Sequence, residues 1–196
     1  MIDFDIEDIV PDTLGGYCGV LAPFIGYGLI IISILIHSWF SVTEHALSEL
    51  GETGLSYNNV FNFALIITGV LMLVFIISLF GRAETRMGHI GLIGLVLGSI
   101  FLILAGIFPM GTAPHIPMAI FFYSTSVAGL IVFGLDEFFE FEHVWAVLIW
   151  SSLGITAISA GLVFMLRPDG IAIYEIIGTF PLIQFSLVFG TRLLAE

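Results

Sequence analysis

The polar residues that could do chemistry are concentrated in residues 41–62, a stretch that interrupts an otherwise strongly apolar chain. A helix over Val42–Glu52, at about 100° per residue, would carry apolar side chains on one side and polar ones on the other. His45 and Glu49 would then lie one turn apart, so their side chains are expected to meet. The pattern therefore predicts an amphipathic helix that covers one face of the protein.

Two further ionisable residues are expected at the same membrane face. His115 follows a proline-flanked break and opens the fourth apolar segment, and Glu175 lies about one turn into the last one. An ionisable group at that depth is costly and usually faces a partner or a wet cavity. We therefore expect a polar pocket formed by the second, fourth and sixth apolar segments and covered by residues 41–52. Its expected ligand-binding residues are Glu44, Ser48, Asn62, His115 and Glu175.

The chemistry of such a pocket is left open by the sequence. Imidazole and carboxylate groups suit Zn²⁺, Mn²⁺ or Fe²⁺, and the possible metal ligands are His45, Glu49, His115 and Glu175. A metal with an open position could activate water for hydrolysis, which would make the protein a metal-dependent hydrolase acting on lipid. Without a metal, the same side chains would form the hydrogen-bonding wall of a site for a lipid or small amphiphile, which is our leading interpretation.

A haem-binding redox protein is a third alternative, because haem needs axial ligands that face each other across a bundle. His37 or His115 could serve at one face, and His89 with His143 at the other. The chain has no P-loop, dinucleotide fingerprint or nucleophile elbow. Its single cysteine excludes an internal disulfide. With only four basic residues and a formal charge of −12, a nucleic-acid partner is not expected.

Composition places the chain in a membrane. It is 59% hydrophobic and 10% charged, with a mean hydropathy of +1.14, whereas soluble domains average about 25% charged residues. A spanning helix needs roughly 20 apolar residues. The sequence predicts an all-α, six-transmembrane-helix bundle as a single domain over 17–196, after an acidic segment over 1–16. The expected spans are about 17–39, 58–80, 88–108, 115–135, 143–166 and 171–193.

The arginines predict the orientation of this bundle. Arg82, Arg86 and Arg192 fall on one side of the membrane and Arg167 on the other. Because short cytoplasmic loops carry the excess of positive charge, we expect a multi-pass cell-membrane protein with both termini in the cytoplasm. The acidic linker 136–142 would then also be cytoplasmic.

The third span contains small residues at helical spacing, which allow another backbone to approach closely. This stripe could pack inside the bundle or against a second copy of the chain in a homo-oligomer. It consists of Gly88, Gly91, Gly94 and Gly98.

Several of these segments resemble a known family. Residues 48–51 (SELG), followed by 59–62 (NVFN), resemble its first signature, and 106–109 (GIFP) with His115 resembles its second. The stretch from Glu175 to Pro181 fits its closing helix. The chain thus resembles the prokaryotic membrane proteins grouped as domain of unknown function family 998, over roughly residues 17–193. The resemblance implies six helices and an integral membrane location, and it implies no reaction.

Overall fold

Six long helices make up nearly all of the protein. The computed structural model describes residues 10–140, 142–166 and 168–195. The long helices are α1 (Asp12–Ile36), α2 (Asn58–Leu79), α3 (Arg86–Ile107), α4 (His115–Phe139), α5 (His143–Leu166) and α6 (Ala172–Ala195). Two short 3₁₀ helices span Leu47–Gly51 and Phe80–Arg82. The described ranges contain no β-strand, so the predicted all-α fold is confirmed.

Each of the six helices is long and apolar enough to cross a membrane. Their outward faces carry large apolar side chains, such as Leu35 at 77% and Phe164 at 72% exposure. In water such an extensive apolar surface would drive association or aggregation. In a bilayer, lipid tails cover it at no cost. The chain is therefore a multi-pass membrane protein.

The helices form a ring in chain order. Each packs against the helices before and after it, and α6 packs back against α1. Because consecutive helices run in opposite directions, α1, α3 and α5 end at one end of the bundle, where α2, α4 and α6 begin. We call this the connection end, because it carries the long connection 37–57 together with 108–114 and the described residues 168–171.

Two helix boundaries differ from the sequence prediction. Helix α1 begins at Asp12, so residues 12–16 of the expected acidic segment are helical; residues 1–9 lie outside the described ranges, as does Arg167. Helix α4 continues to Phe139 and includes part of the expected acidic linker. Asp136 explains this extension, because it is buried and accepts a hydrogen bond from the Thr85 hydroxyl at the start of α3.

The glycine stripe of α3 packs against α4 of the same chain. A Cβ atom added at Gly91 would lie 2.7 Å from the backbone nitrogen of Phe133. One added at Gly94 would lie 2.8 Å from the Cα atom of Gly129. Gly88 and Gly98 likewise face α4 side chains. The stripe is thus used within the bundle, and a homo-oligomer stays a prediction.

Candidate functional site

The segment 41–51 covers the connection end, but it is not the α-helix that its amphipathic pattern predicts. Residues 42–44 form a turn, Ala46 is extended, and only Leu47–Gly51 is helical, as a 3₁₀ helix. The prediction of a continuous helix over Val42–Glu52 is therefore wrong. His45 and Glu49 do not share a helical face.

The covering segment (residues 41–51) makes its backbone hydrogen bonds with the start of α6. The Gly170 N–H donates to the Thr43 carbonyl at 2.9 Å, and the Ala172 N–H donates to the His45 carbonyl at 3.0 Å. A side chain at Gly170 would collide with the backbone of His45. Because these carbonyls have partners on α6, they are not available for a local helical ladder.

Two glutamates satisfy the N–H groups that begin the 3₁₀ helix. The Leu47 N–H donates to Glu175 Oε2 at 2.6 Å, and the Ala46 N–H donates to Glu49 Oε1 at 2.8 Å. The first N–H groups of a helix have no partner inside it, and acceptor side chains commonly take that place. Glu175 thereby ties the covering segment to α6.

The other end of the covering segment is anchored to α2. The Asn62 side-chain amide donates to the Gly51 carbonyl at 3.0 Å. Leu50 is fully buried, in a cluster with Leu47, Phe61 and Ala172. Gly51 and Asn62, which both belong to the first family signature, therefore help to hold the covering segment in place over the bundle.

His115 lies at the first turn of α4, where the Pro114 break starts the helix. Its side chain is only 3% exposed. Nδ1 lies 2.8 Å from the Phe108 carbonyl and 3.1 Å from the Ala105 carbonyl. Carbonyls only accept hydrogen bonds, so Nδ1 carries the proton and donates to the end of α3.

A cavity runs from the covering segment into the centre of the bundle. The space in it that protein atoms do not fill is about 1060 Å³, a volume that includes space open to the outside. Helices α1, α2, α3, α4 and α6 line it, whereas the pocket expected from the sequence involves the second, fourth and sixth helices; that this cavity is a binding pocket stays a prediction. Its polar end, the cavity mouth, is formed by Ser48, His115, Tyr123 and Glu175.

The depth of the cavity follows from two matching helical stripes. On α4 the lining residues are His115, Ala119, Phe122, Tyr123 and Ser126. On α6 they are Glu175, Thr179, Leu182, Ile183 and Ser186. In each stripe the last residue lies eleven positions after the first, which is about 16 Å at the rise of an α-helix.

The predicted ligand-binding residues divide into two groups. Ser48, His115 and Glu175 line the cavity together. Glu44 is exposed outside it, and Asn62 instead holds Gly51. Three of the five predicted residues therefore share one site, and whether they bind a ligand stays a prediction.

Two of the four expected metal ligands, His45 and Glu49, have hydrogen-bond partners within the covering segment. The His45 Nδ1 atom accepts the Ser41 N–H at 3.1 Å, and its ring packs 4.9 Å from that of Trp39. Glu49 folds back onto Ala46. Among the described residues, no group of three or more His, Cys, Asp or Glu side chains is arranged to hold a metal ion. The Zn²⁺, Mn²⁺ or Fe²⁺ site stays a prediction.

The histidines of the haem alternative have protein partners. His37 caps the end of α1, with Nδ1 2.7 Å from the Ser33 carbonyl and Nε2 2.9 Å from the Ser56 carbonyl. At the opposite end, His89 Nδ1 lies 2.6 Å from the Thr85 carbonyl. The ring of His143 packs against that of Phe138. The haem alternative also stays a prediction.

Sequence reasoning missed the tyrosines of this site. The Tyr123 hydroxyl donates to the backbone carbonyl of Glu175 at 3.1 Å. Tyr27, one of the lining residues on α1, hydrogen-bonds Thr179 on α6. Helical periodicity could have indicated Tyr123, which lies two turns after His115 on the same face. It could have indicated Thr179 in the same way, one turn after Glu175.

Six apolar helices in a ring, with ionisable side chains gathered beneath one connection, define a polytopic membrane protein. The chain belongs to the family described as Protein of unknown function (DUF998), whose family model matches residues 20–192. The resemblance seen in the sequence is thereby confirmed. Neither a curated protein nor a solved structure matches the chain.

Proposed function

We propose that the protein binds a lipid or small amphiphile in the central cavity, at the extracytoplasmic face of the membrane. The polar head of the molecule would lie at the cavity mouth, between His115 and Glu175 and beneath the covering segment. Its apolar chain would extend between α4 and α6 towards Ser126 and Ser186.

The observation that carries this proposal is the separation of polar and apolar groups along one cavity. Ionisable side chains lie at the mouth, and the walls below it are mostly Leu, Ile, Phe, Met and Ala. Apolar pockets with a few convergent polar groups are typical of small-molecule sites, in which the polar groups fix the orientation of the ligand. This arrangement matches the two parts of an amphiphile.

The dimensions of the cavity agree with a lipid chain. A depth of about 16 Å, taken from the helical rise, is about half of the roughly 30 Å hydrocarbon core of a bilayer. One leaflet, and hence one acyl or isoprenoid chain, has that length. The Thr68 hydroxyl in the cavity wall is a buried oxygen without a protein partner among the described residues. Such groups usually have a water or ligand partner.

The outward orientation rests on the arginines at the opposite end of the bundle. Arg82 lies between α2 and α3, Arg86 is the first residue of α3, and Arg192 lies in the last turn of α6. The excess of positive charge marks the cytoplasmic side. The cavity mouth would then open towards the outer leaflet.

Native mass spectrometry of lipid that co-purifies with the protein tests this function. Ala119 lines the cavity on α4, and the neighbouring Ile120 is 60% exposed on the outer face of the same helix. Ala119→Trp should fill the cavity and abolish bound lipid, whereas Ile120→Trp should retain it. If the two variants carry equal amounts of lipid, the cavity is not the binding site and the proposal is wrong.

A further inference from the structure

Three of the four side chains at the cavity mouth, those of His115, Tyr123 and Glu175, offer hydrogen-bond acceptors to the cavity, and Ser48 adds a hydroxyl. His115 shows this most clearly, because its Nδ1–H is directed at the Phe108 and Ala105 carbonyls. In a neutral imidazole with Nδ1 protonated, Nε2 is an acceptor. The His115 imidazole therefore offers its Nε2 atom as an acceptor to a molecule in the cavity.

Tyr123 and Glu175 likewise present hydrogen-bond acceptors to the cavity. The Tyr123 O–H donates to the Glu175 backbone carbonyl, which leaves the phenolic oxygen as an acceptor. Glu175 Oε2 accepts the Leu47 N–H at 2.6 Å. The second carboxylate oxygen of Glu175 remains for a bound molecule, since the side chain also lines the cavity.

The charges around the mouth add to this preference. Glu175 lines the cavity, and Glu49 lies in the covering segment that Glu175 holds. The chain contains no lysine, and the described arginines lie at the opposite end of the bundle. Among the described residues, Glu175 is the formally charged side chain that lines the cavity, and opposite charges attract strongly where little water screens them.

From this arrangement we infer that the mouth selects amphiphiles whose head group donates hydrogen bonds, with a primary ammonium preferred over a hydroxyl and a carboxylate excluded. This inference rests on the proposed function and names the ligand class of that same site. An ammonium group has three donors and no acceptor, so it complements His115 Nε2, the Tyr123 oxygen and the Glu175 carboxylate. A carboxylate or phosphate head would face the acceptors of His115, Tyr123 and Glu175, with only the Ser48 hydroxyl able to donate to it.

Three probes with the same alkyl chain test the inference on the full-length protein in a neutral detergent: tetradecylamine, tetradecanol and tetradecanoate. Native mass spectrometry would give the affinity of each. We expect the amine to bind about tenfold more tightly than the alcohol, the order of a charge-assisted hydrogen bond. Tetradecanoate should bind more weakly than both. The Ala119→Trp variant should abolish the binding of all three probes.

Two matched variants separate recognition at the mouth from general surface charge. Glu175→Gln keeps the shape of the side chain and removes its charge, so the preference for the amine over the alcohol should disappear. Glu44→Gln removes the same charge from an exposed position at the same end, and the preference should remain. If both variants lose it equally, the charge of the surface and not the mouth is responsible, and the inference is wrong.

The remaining outcomes distinguish the two proposals. If tetradecanoate binds as tightly as the amine and Ala119→Trp abolishes both, the cavity binds amphiphiles but the head-group inference is wrong. If none of the three probes binds saturably to the wild-type protein, the proposed function itself fails.

Discussion

At the scale of single residues, Glu175 joins two parts of the site, because one carboxylate oxygen holds the covering segment and the side chain also lines the cavity. Replacing it by leucine should leave the Leu47 N–H without its partner. Hydrogen bonds to charged groups are worth about 1.5–3 kcal/mol, so local opening should become roughly 10- to 100-fold more frequent. Hydrogen exchange at the Leu47 amide measures this directly.

Glu175→Gln provides the matched comparison, because its amide oxygen can still accept the Leu47 N–H. We expect an increase in exchange smaller than in Glu175→Leu. Glu44→Leu, at an exposed position of the same segment, should leave the exchange at Leu47 unchanged. An unchanged Leu47 amide in Glu175→Leu would contradict the role of Glu175 as an anchor.

The sequence revealed those site residues whose chemistry is unusual for their position. Glu175 is indicated because an ionisable group inside an apolar segment is costly, and His115 because it opens the fourth span after a proline break. The structure places both on one cavity. Glu44 and Asn62 were chosen for polarity alone, and neither lines it. Tyr123 was missed because a tyrosine in a membrane helix is common, and its significance depends on the Glu175 carbonyl across the bundle.

At the scale of elements, the covering segment shows how tertiary hydrogen bonds override a local pattern. Its apolar and polar residues do repeat with a helical period, but Gly170 and Ala172 take the Thr43 and His45 carbonyls. Short segments have little intrinsic helical stability, so partners on α6 decide the conformation. The sequence contains no signal for such a pairing between residues more than 120 positions apart.

The contact between α3 and α4 depends on glycine, and Gly94→Ala should weaken it. The added Cβ atom would lie 2.8 Å from the Cα atom of Gly129, a backbone atom that cannot rotate away. Overpacking of this kind costs about 1–3 kcal/mol. We expect a lower thermal unfolding temperature in detergent, measured by circular dichroism.

Gly161→Ala is the matched control, because a Cβ atom there would meet no other atom within 4 Å. Alanine also favours a helix over glycine by about 1 kcal/mol, so this variant should unfold at the same or a slightly higher temperature. Equal destabilisation of the two variants would show that α3 and α4 do not pack through the glycine stripe.

At the scale of the whole molecule, hydropathy predicts the six spans well because a bilayer leaves few alternatives. Only helices and closed barrels satisfy their backbone groups in lipid, and six apolar stretches of helical length follow directly. Their lateral arrangement is not encoded so simply. Within the ring of helices, α1 and α3 line the cavity, whereas α5 contributes no lining residue. No periodicity in the sequence indicates which helices line the cavity.

The orientation of the ring can be tested with single cysteines. Cys18 is the only native cysteine and is buried, so Cys18→Ala gives a background without reactive thiols. In that background, Glu44→Cys lies at the connection end and Glu84→Cys at the opposite end, both at exposed positions. An impermeant maleimide should label Glu44→Cys in intact cells, whereas Glu84→Cys should react only after permeabilisation. The reverse pattern would place the cavity mouth in the cytoplasm, which would overturn the outer-leaflet assignment and leave the cavity and its head-group preference to be tested from the inner side.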